Sequence, residues 1–180
     1  MDLRLRLADL ADVPRLAPVM DAAIGELQRD VLTPEQIQSS RTIMGIDTAL
    51  ITDGTYFVVE WGPDVAGCGG WSRRATLYGN DSTPGRDAAL LDPARDPARV
   101  RAMYTHPAFA RRGVGRMVLD ACEAAARAEG FTALELMGTM AGRPLYEAAG
   151  FVVVEELEDA RGGAPVPLVR MRKQLAPEGG

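Results

Sequence analysis

Between Met103 and Arg127 the chain reads MYTHPAFARRGVGRMVLDACEAAAR, and no other stretch restricts the fold as strongly. An apolar strand runs into the turn Arg111-Arg112-Gly113-Val114-Gly115, and a long amphipathic helix starts at once. From Val114 on, apolar residues fall at 114, 117, 118, 121, 122 and 125, the spacing of a helix with one buried face. Arg116, Asp120, Glu123 and Arg127 lie outside that stripe, and Glu123 and Arg127 are spaced for an i,i+4 pair.

A helix start leaves backbone N–H groups without partners, and the macrodipole adds partial positive charge there. Gly113 and Gly115 remove side chains that would hold a ligand off those groups, while Arg111, Arg112 and Arg116 add full charges. This is a receptor for phosphate or pyrophosphate. It is neither a P-loop, since Gly115-Arg116-Met117 lacks the Lys-Ser/Thr ending, nor a dinucleotide fingerprint, since Val118 stands where a third glycine belongs. The bland alternative is a plain connection.

At these residues the sequence resembles the GNAT acyltransferase superfamily. Its pyrophosphate loop, Arg/Gln-x-x-Gly-x-Gly/Ala, corresponds to Ala110-Arg111-Arg112-Gly113-Val114-Gly115, after the proline-containing segment Thr105-His106-Pro107. Ala110 departs from the first position. Downstream, Leu145-Tyr146-Glu147-Ala148-Ala149-Gly150-Phe151 is similar to the family's Leu-Tyr-x-x-x-Gly-Phe segment, with Thr139 and Gly142 in place of its frequent Asn and Ala. The resemblance implies an α/β fold of the α+β type. Its mixed, mostly antiparallel sheet of about seven strands would carry helices on both faces and splay between strands 4 and 5.

The rest of the chain fits that frame. Leu3, Leu5 and Leu7 alternate with Arg4 and Arg6 as a half-buried strand. Asp9 or Asp12 can cap a helix striped by Leu16, Val19, Met20, Ala23, Ile24 and Leu27, and the capping box Thr33-Pro34-Glu35-Gln36 starts a second running to about Met44. By resemblance these helices form part of the acceptor side of a cleft; otherwise they merely cover the sheet. Tyr56–Glu60 and Val65–Trp71 flank Gly62-Pro63-Asp64 as a hairpin, and the glycines at 67, 69 and 70 signal a ligand, a bulge or close packing. Ala75–Ala98, with two turns of helix at Asp87–Leu91, is long for a loop and reads as substrate-shaping or as an inert insertion. Strands follow at Arg99–Thr105, Thr132–Met137, Phe151–Leu157 and Leu168–Leu175, with a short helix from Pro144 to Gly150. Residues 1–175 are expected to form one domain and 176–180 a frayed tail.

The resemblance implies direct acetyl transfer from acetyl-CoA to an amine within a ternary complex. Pantetheine would pair with the backbone of Met103, Tyr104 and Thr105, and the N–H groups from Arg112 to Arg116, Val114 included, would hold the pyrophosphate. The acceptor ammonium must lose a proton, the oxyanion must be stabilised, and the thiolate must leave. Tyr146 matches the tyrosine that serves the departing sulfur, though an aromatic packed on the sheet fits the same context. The base stays open among Glu60, which is favoured, a water chain, His106, which caps or orients the loop, and Glu135, which faces away from whatever Leu134 and Leu136 pack on. Trp71, Tyr78 and Tyr56 could line an aromatic acceptor site or belong to core and surface.

A net charge of −5 offers nucleic acid or anionic membrane no overall attraction, so the basic turn is a local site. No apolar run is long enough to span a bilayer, the N-terminus does not read as a signal peptide, and Cys68 and Cys122 read as buried thiols. The Asn80-Asp81-Ser82 sequon carries no weight without a sign of secretion. A cytoplasmic enzyme with a small-molecule or peptide amine acceptor and no metal is expected, with room for a homodimer. Transfer to protein N-termini or lysines, and a non-catalytic acyl-CoA sensor, are the competing readings.

Overall fold

The structure is a computed structural model describing residues 2–177; residues 178–180 of the expected tail lie outside the described residues. Seven strands form one sheet: β1 (Leu3–Leu7), β2 (Tyr56–Trp61), β3 (Asp64–Ser72), β4 (Ala98–Thr105), β5 (Ala133–Thr139), β6 (Val152–Asp159) and β7 (Val166–Gln174). Their order is β1-β2-β3-β4-β5-β7-β6, antiparallel throughout except for the parallel β4–β5 pair. The expected mixed sheet with helices on both faces is present.

One face carries α4 (Val114–Ala128), whose Val114, Val118, Leu119, Cys122 and Ala126 are buried. The buried stripe is thus turned slightly from the expected one: Met117, Ala121 and Ala125 sit at its edge and are only partly covered. α5 (Arg143–Ala148) lies near the start of α4, with Tyr146 and Leu145 in the same cluster. The opposite face carries α1 (Val13–Glu26), which buries Leu16, Val19, Met20, Ala23 and Ile24 against Tyr56, Val58, Cys68 and Tyr104. Glu123 and Arg127 pair as expected, at 3.0 Å.

The β3 glycines are explained by packing. A Cβ on Gly67 would lie 2.5 Å from Val114 Cγ1 and 2.8 Å from the Tyr104 carbonyl oxygen, and one on Gly69 would collide with Met103 and Val118. Side chains there would push α4 and β4 off the sheet.

Three local expectations are corrected. The capping box of α2 (Pro34–Ser40) is formed by Thr33 and Gln36, but the helix ends at Ser40 and does not reach Met44. The Ser40 hydroxyl donates to Ile37 O and the Thr42 hydroxyl to Ser39 O, and Arg41 N–H bonds three residues back, so the last turn tightens and stops. An unforeseen short helix, α3 (Thr48–Thr52), follows with Asp47 as its cap. Residues 87–91 are not helical; Thr76 N–H bonds Asp87 O and Leu91 N–H bonds Arg73 O, which ties the two ends of the long loop together just beyond β3.

The start of α1 is fastened by Arg6, whose guanidinium donates to both Asp12 oxygens at 2.8 and 2.7 Å. The Arg6 hydrogen bond holds the buried Asp12 carboxyl at about 2. A carboxyl lowered on folding stabilises above its unfolded value and loses that contribution as pH falls. We expect about 2 kcal/mol of stability to disappear between roughly pH 4 and pH 2. Asp12→Asn should be less stable at neutral pH and show a flatter acid limb in urea titrations; an unchanged limb would contradict the assignment.

Candidate active site

β4 and β5 pair through two rows only, Ala98↔Leu134 and Arg99↔Glu135. Beyond them β5 continues against β7 alone as far as Thr139, leaving one edge of β4 open. The His106 N–H donates to Ala66 O on the β3 side at 2.9 Å. By strand alternation, the backbone groups of Tyr104 also face β3, while those of Met103 and Thr105 face the open edge. Of the three expected pantetheine partners, Tyr104 is therefore removed as a backbone partner.

A bulge lies just before this segment. Two β4 residues, Ala102 and Met103, oppose Gly69, and Ala102 takes φ 52, a left-handed conformation that a side-chain-bearing residue seldom adopts. The fully buried Tyr56 hydroxyl donates to the Ala102 carbonyl at 2.6 Å. In a trans peptide the next N–H points the opposite way. The Met103 N–H is therefore turned away from Tyr56, toward the cleft that Ala102 and Met103 line.

Across the cleft stands Tyr146, supported by Phe151 edge-on at 6.0 Å. Its ring lies so close to Gly142 that a Cβ there would come within 2.9 Å of Cε2, which accounts for glycine at that position. The Tyr146 hydroxyl makes no hydrogen bond among the described residues and lies at the cleft wall, and burial raises it well above the usual phenol value, so it remains protonated. Thr139, where the family's asparagine is frequent, uses its hydroxyl to accept from Gly142 N–H at 3.0 Å. Ile43, Met44, Leu77 and Tyr78 complete the walls, with Met137 and Leu168 below. The loop after α2 and the long loop therefore both shape the cleft.

At the near end of α4 the backbone curls through Arg111 at φ 62 and Gly113 at φ 83, with no side chain capping the helix. The first α4 N–H to find an acceptor is that of Met117, bonded to Gly113 O; those of residues 111–116 have none among the described residues. Consecutive unpaired N–H groups in such a curl form an anion cradle. Gly113 is needed for its φ; Gly115 serves packing, because a Cβ there would meet Leu145 Cδ2 at 2.6 Å. Val114 contributes only its N–H, its side chain being buried under β3. Arg111 and Arg112 are exposed and free of ion pairs among the described residues, whereas Arg116 bonds Asp120 at 3.3 Å. A pyrophosphate fits the cradle, and an extended amide-bearing chain fits the open β4 edge.

The profile of the acetyltransferase (GNAT) family matches residues 22–151. The chain belongs to that family. The family takes its acyl group from acetyl-CoA. Among solved structures, a GCN5-related N-acetyltransferase from Rhodopseudomonas palustris is 20% identical over 96% of this chain and 95% of its own, with a TM-score of 0.71. The yncA protein from Salmonella typhimurium, solved with its cofactor acetyl-CoA, is 20% identical over 100% and 98%, with a TM-score of 0.64. The paia N-acetyltransferase from Thermoplasma acidophilum, in complex with coenzyme A, is 13% identical over 97% and 99%, also at 0.64. At these identities the likeness is one of fold. No curated protein sequence matches the chain.

Within this GNAT fold the candidate bases fare poorly. Glu60 is not in the cleft; it is held by Arg6 at 2.5 Å and Arg15 at 3.3 Å, and the Arg6 bond keeps its carboxyl below the ordinary value. That corrects the preference for it. Glu135 does face away from Leu134 and Leu136, but it is buried beneath Arg99, Arg170 and Arg172. Burial pushes its carboxyl up, and the Arg172 and Arg170 hydrogen bonds outweigh that and hold it low. The His106 Nδ1 accepts from Ala108 N–H, capping the turn ahead of the cradle. Among the described residues no carboxylate lines the cleft.

Of the aromatic trio, Trp71 and Tyr56 are core residues and only Tyr78 reaches the cleft, with its hydroxyl donating to Asp159 at 2.8 Å. Cys68 and Cys122 are free and buried, and burial pushes Cys68 up to about 12, so neither is a nucleophile at neutral pH. No helix among the described residues is long and apolar enough to cross a membrane. Sequence reasoning missed Arg101, Asp47 and the Tyr56–Ala102 contact; only the fold brings these together.

Proposed function

We propose that residues 1–175 act as one N-acetyltransferase domain that transfers the acetyl group of acetyl-CoA directly to the primary amine of a small molecule. The observation that carries this reading is the combination of an unpartnered N–H cradle at the start of α4, directly after β4, with an open β4 edge and a cleft that Met103 and Tyr146 both line. The cradle and Arg111 and Arg112 would hold the pyrophosphate, and the outward backbone groups of Met103 and Thr105 would pair with the pantetheine amides.

When bound, acetyl-CoA supplies an activated acyl group on sulfur. The Met103 N–H, held in place by the bulge, is a preorganised donor for charge developing on an acyl oxygen. The Tyr146 phenol keeps a proton available to a leaving thiolate. With no carboxylate among the described residues in the cleft, water is the route by which the amine's proton would leave. Bringing two reactants together in one cleft removes much of the barrier by itself, which makes modest acid–base help sufficient. The lining of the cleft by Leu77, Tyr78, Ile43 and Met44, from the long loop and the segment after α2, supports a small acceptor over a protein surface.

Thermal unfolding with acetyl-CoA, beside acyl-free CoA, tests the reading. At about 100 times the dissociation constant, about 2.7 kcal/mol is added, which raises the midpoint by roughly 5–10 °C for a chain of this length. Thiol release in the presence of a primary amine would then establish turnover. A shift with both ligands but no thiol release with any amine would favour a binding module, and no shift with either would remove the cofactor.

A further inference from the structure

We infer that the acceptor is an α-amino acid with an apolar side chain, its carboxylate received by Arg101 on the floor of the cleft; this rests on the acyltransferase reading above. Among the described residues lining the cleft, Arg101 carries the only formal charge. It is 4% exposed, and only its Nη2 is engaged, donating to Asp47 Oδ2 at 2.8 Å and Gly79 O at 3.2 Å. Nε and Nη1 have no partner among the described residues and neither is sealed from solvent, so they look onto the cleft or the adjoining cavity that Arg101 also lines. Donors that no protein group takes and that solvent can reach are free to receive an anion.

Asp47 is shared between Arg101 at 2.8 Å and Arg86 at 2.9 Å, with Asp81 a further 3.9 Å partner of Arg86. The surrounding sheet face is cationic as well. By strand alternation Arg99 shares a face with Arg101, Glu135 with the cleft residue Met137, and Arg170 and Arg172 with the cleft residue Leu168. Arg99, Arg170 and Arg172 there meet the single carboxylate of Glu135, with Glu155 reaching Arg170 from β6. In a chain of net charge −5 this local excess is set against the general field.

Ile43, Met44, Leu77, Met137 and Leu168 give the cleft an apolar portion that suits an apolar side chain, beside the hydroxyl-bearing Tyr78, Tyr104, Thr139 and Tyr146. Arg101 and Met103 line the same cleft, so a carboxylate held by Arg101 keeps an amine on the same carbon within it. A guanidinium fork receives a carboxylate through two parallel hydrogen bonds, which a carboxylate-free amine cannot make.

The test compares leucine with 3-methylbutylamine and phenylalanine with 2-phenylethylamine on the intact protein. It reads kcat/KM by thiol release and, separately, the midpoint shift each compound adds to the CoA-bound protein. Hydrogen bonds of an ionised pair predict a preference for the amino acid of about 10- to 100-fold, lying mainly in KM. Arg101→Met, in which Asp47 keeps Arg86, should collapse that ratio toward one while CoA still raises the midpoint. Equal or better use of the decarboxylated amines, with CoA binding intact, overturns the acceptor inference and leaves the acetyltransferase reading standing. Failure of CoA to bind overturns both.

Discussion

Tyr146→Phe should lower kcat by about 10²- to 10⁴-fold, the range over which a positioned proton donor acts, while leaving CoA affinity and the unfolding midpoint nearly unchanged. The separation follows from the hydroxyl's surroundings. It makes no hydrogen bond among the described residues, so its loss breaks no folded-state contact, and the ring keeps its edge-on packing with Phe151. The cradle at residues 111–116 is built from backbone and does not use the ring. Single-turnover acetyl transfer is the decisive measurement. If the variant turns over at the wild-type rate with CoA binding intact, Tyr146 is a packing aromatic and the thiolate leaves unaided. A drop in kcat accompanied by a large fall in midpoint would instead assign the residue a structural role.

Asp47→Ala should destabilise the protein by about 3–5 kcal/mol, the usual cost of stranding a buried charge. One carboxylate receives Arg101 Nη2 at 2.8 Å, Arg86 Nη1 at 2.9 Å and the Ala49 N–H at 3.1 Å. Its removal leaves Arg101 buried without a counter-charge and uncaps α3. The midpoint should fall by roughly 6–20 °C. Asp47→Asn retains an acceptor for the cap and for Arg101 but not the charge, and should fall between the wild type and the alanine variant. A loss below about 1 kcal/mol for Asp47→Ala, in urea unfolding at neutral pH, would mean that the pair is solvated rather than buried.

Much of the site is written in consecutive residues and was therefore legible. The cradle depends on a local event, a helix starting after a glycine turn, and its donors are backbone groups that any sequence supplies once the turn is specified. Tyr146 was legible through its spacing to Gly150 and Phe151. Glu60 misled because a carboxylate at a strand end looks available until Arg6 and Arg15, from β1 and α1, are seen to hold it. Arg101 carried no local signal: its meaning comes from Asp47, Gly79 and Arg86, which lie on other segments of the chain.

The sequence alone determined the strand–turn–helix with its glycine turn, the hairpin, the alternation of elements and the membership they imply. These follow from periodicities of two and 3.6 residues and from glycine and proline chemistry, all short-range. Tertiary structure alone decided where β4 and β5 part, which way the bulge at Ala102 turns the Met103 N–H, and which arginines lack a counter-charge. Each of those depends on groups far apart in the chain meeting across a sheet, and no local pattern records which partner will already be taken.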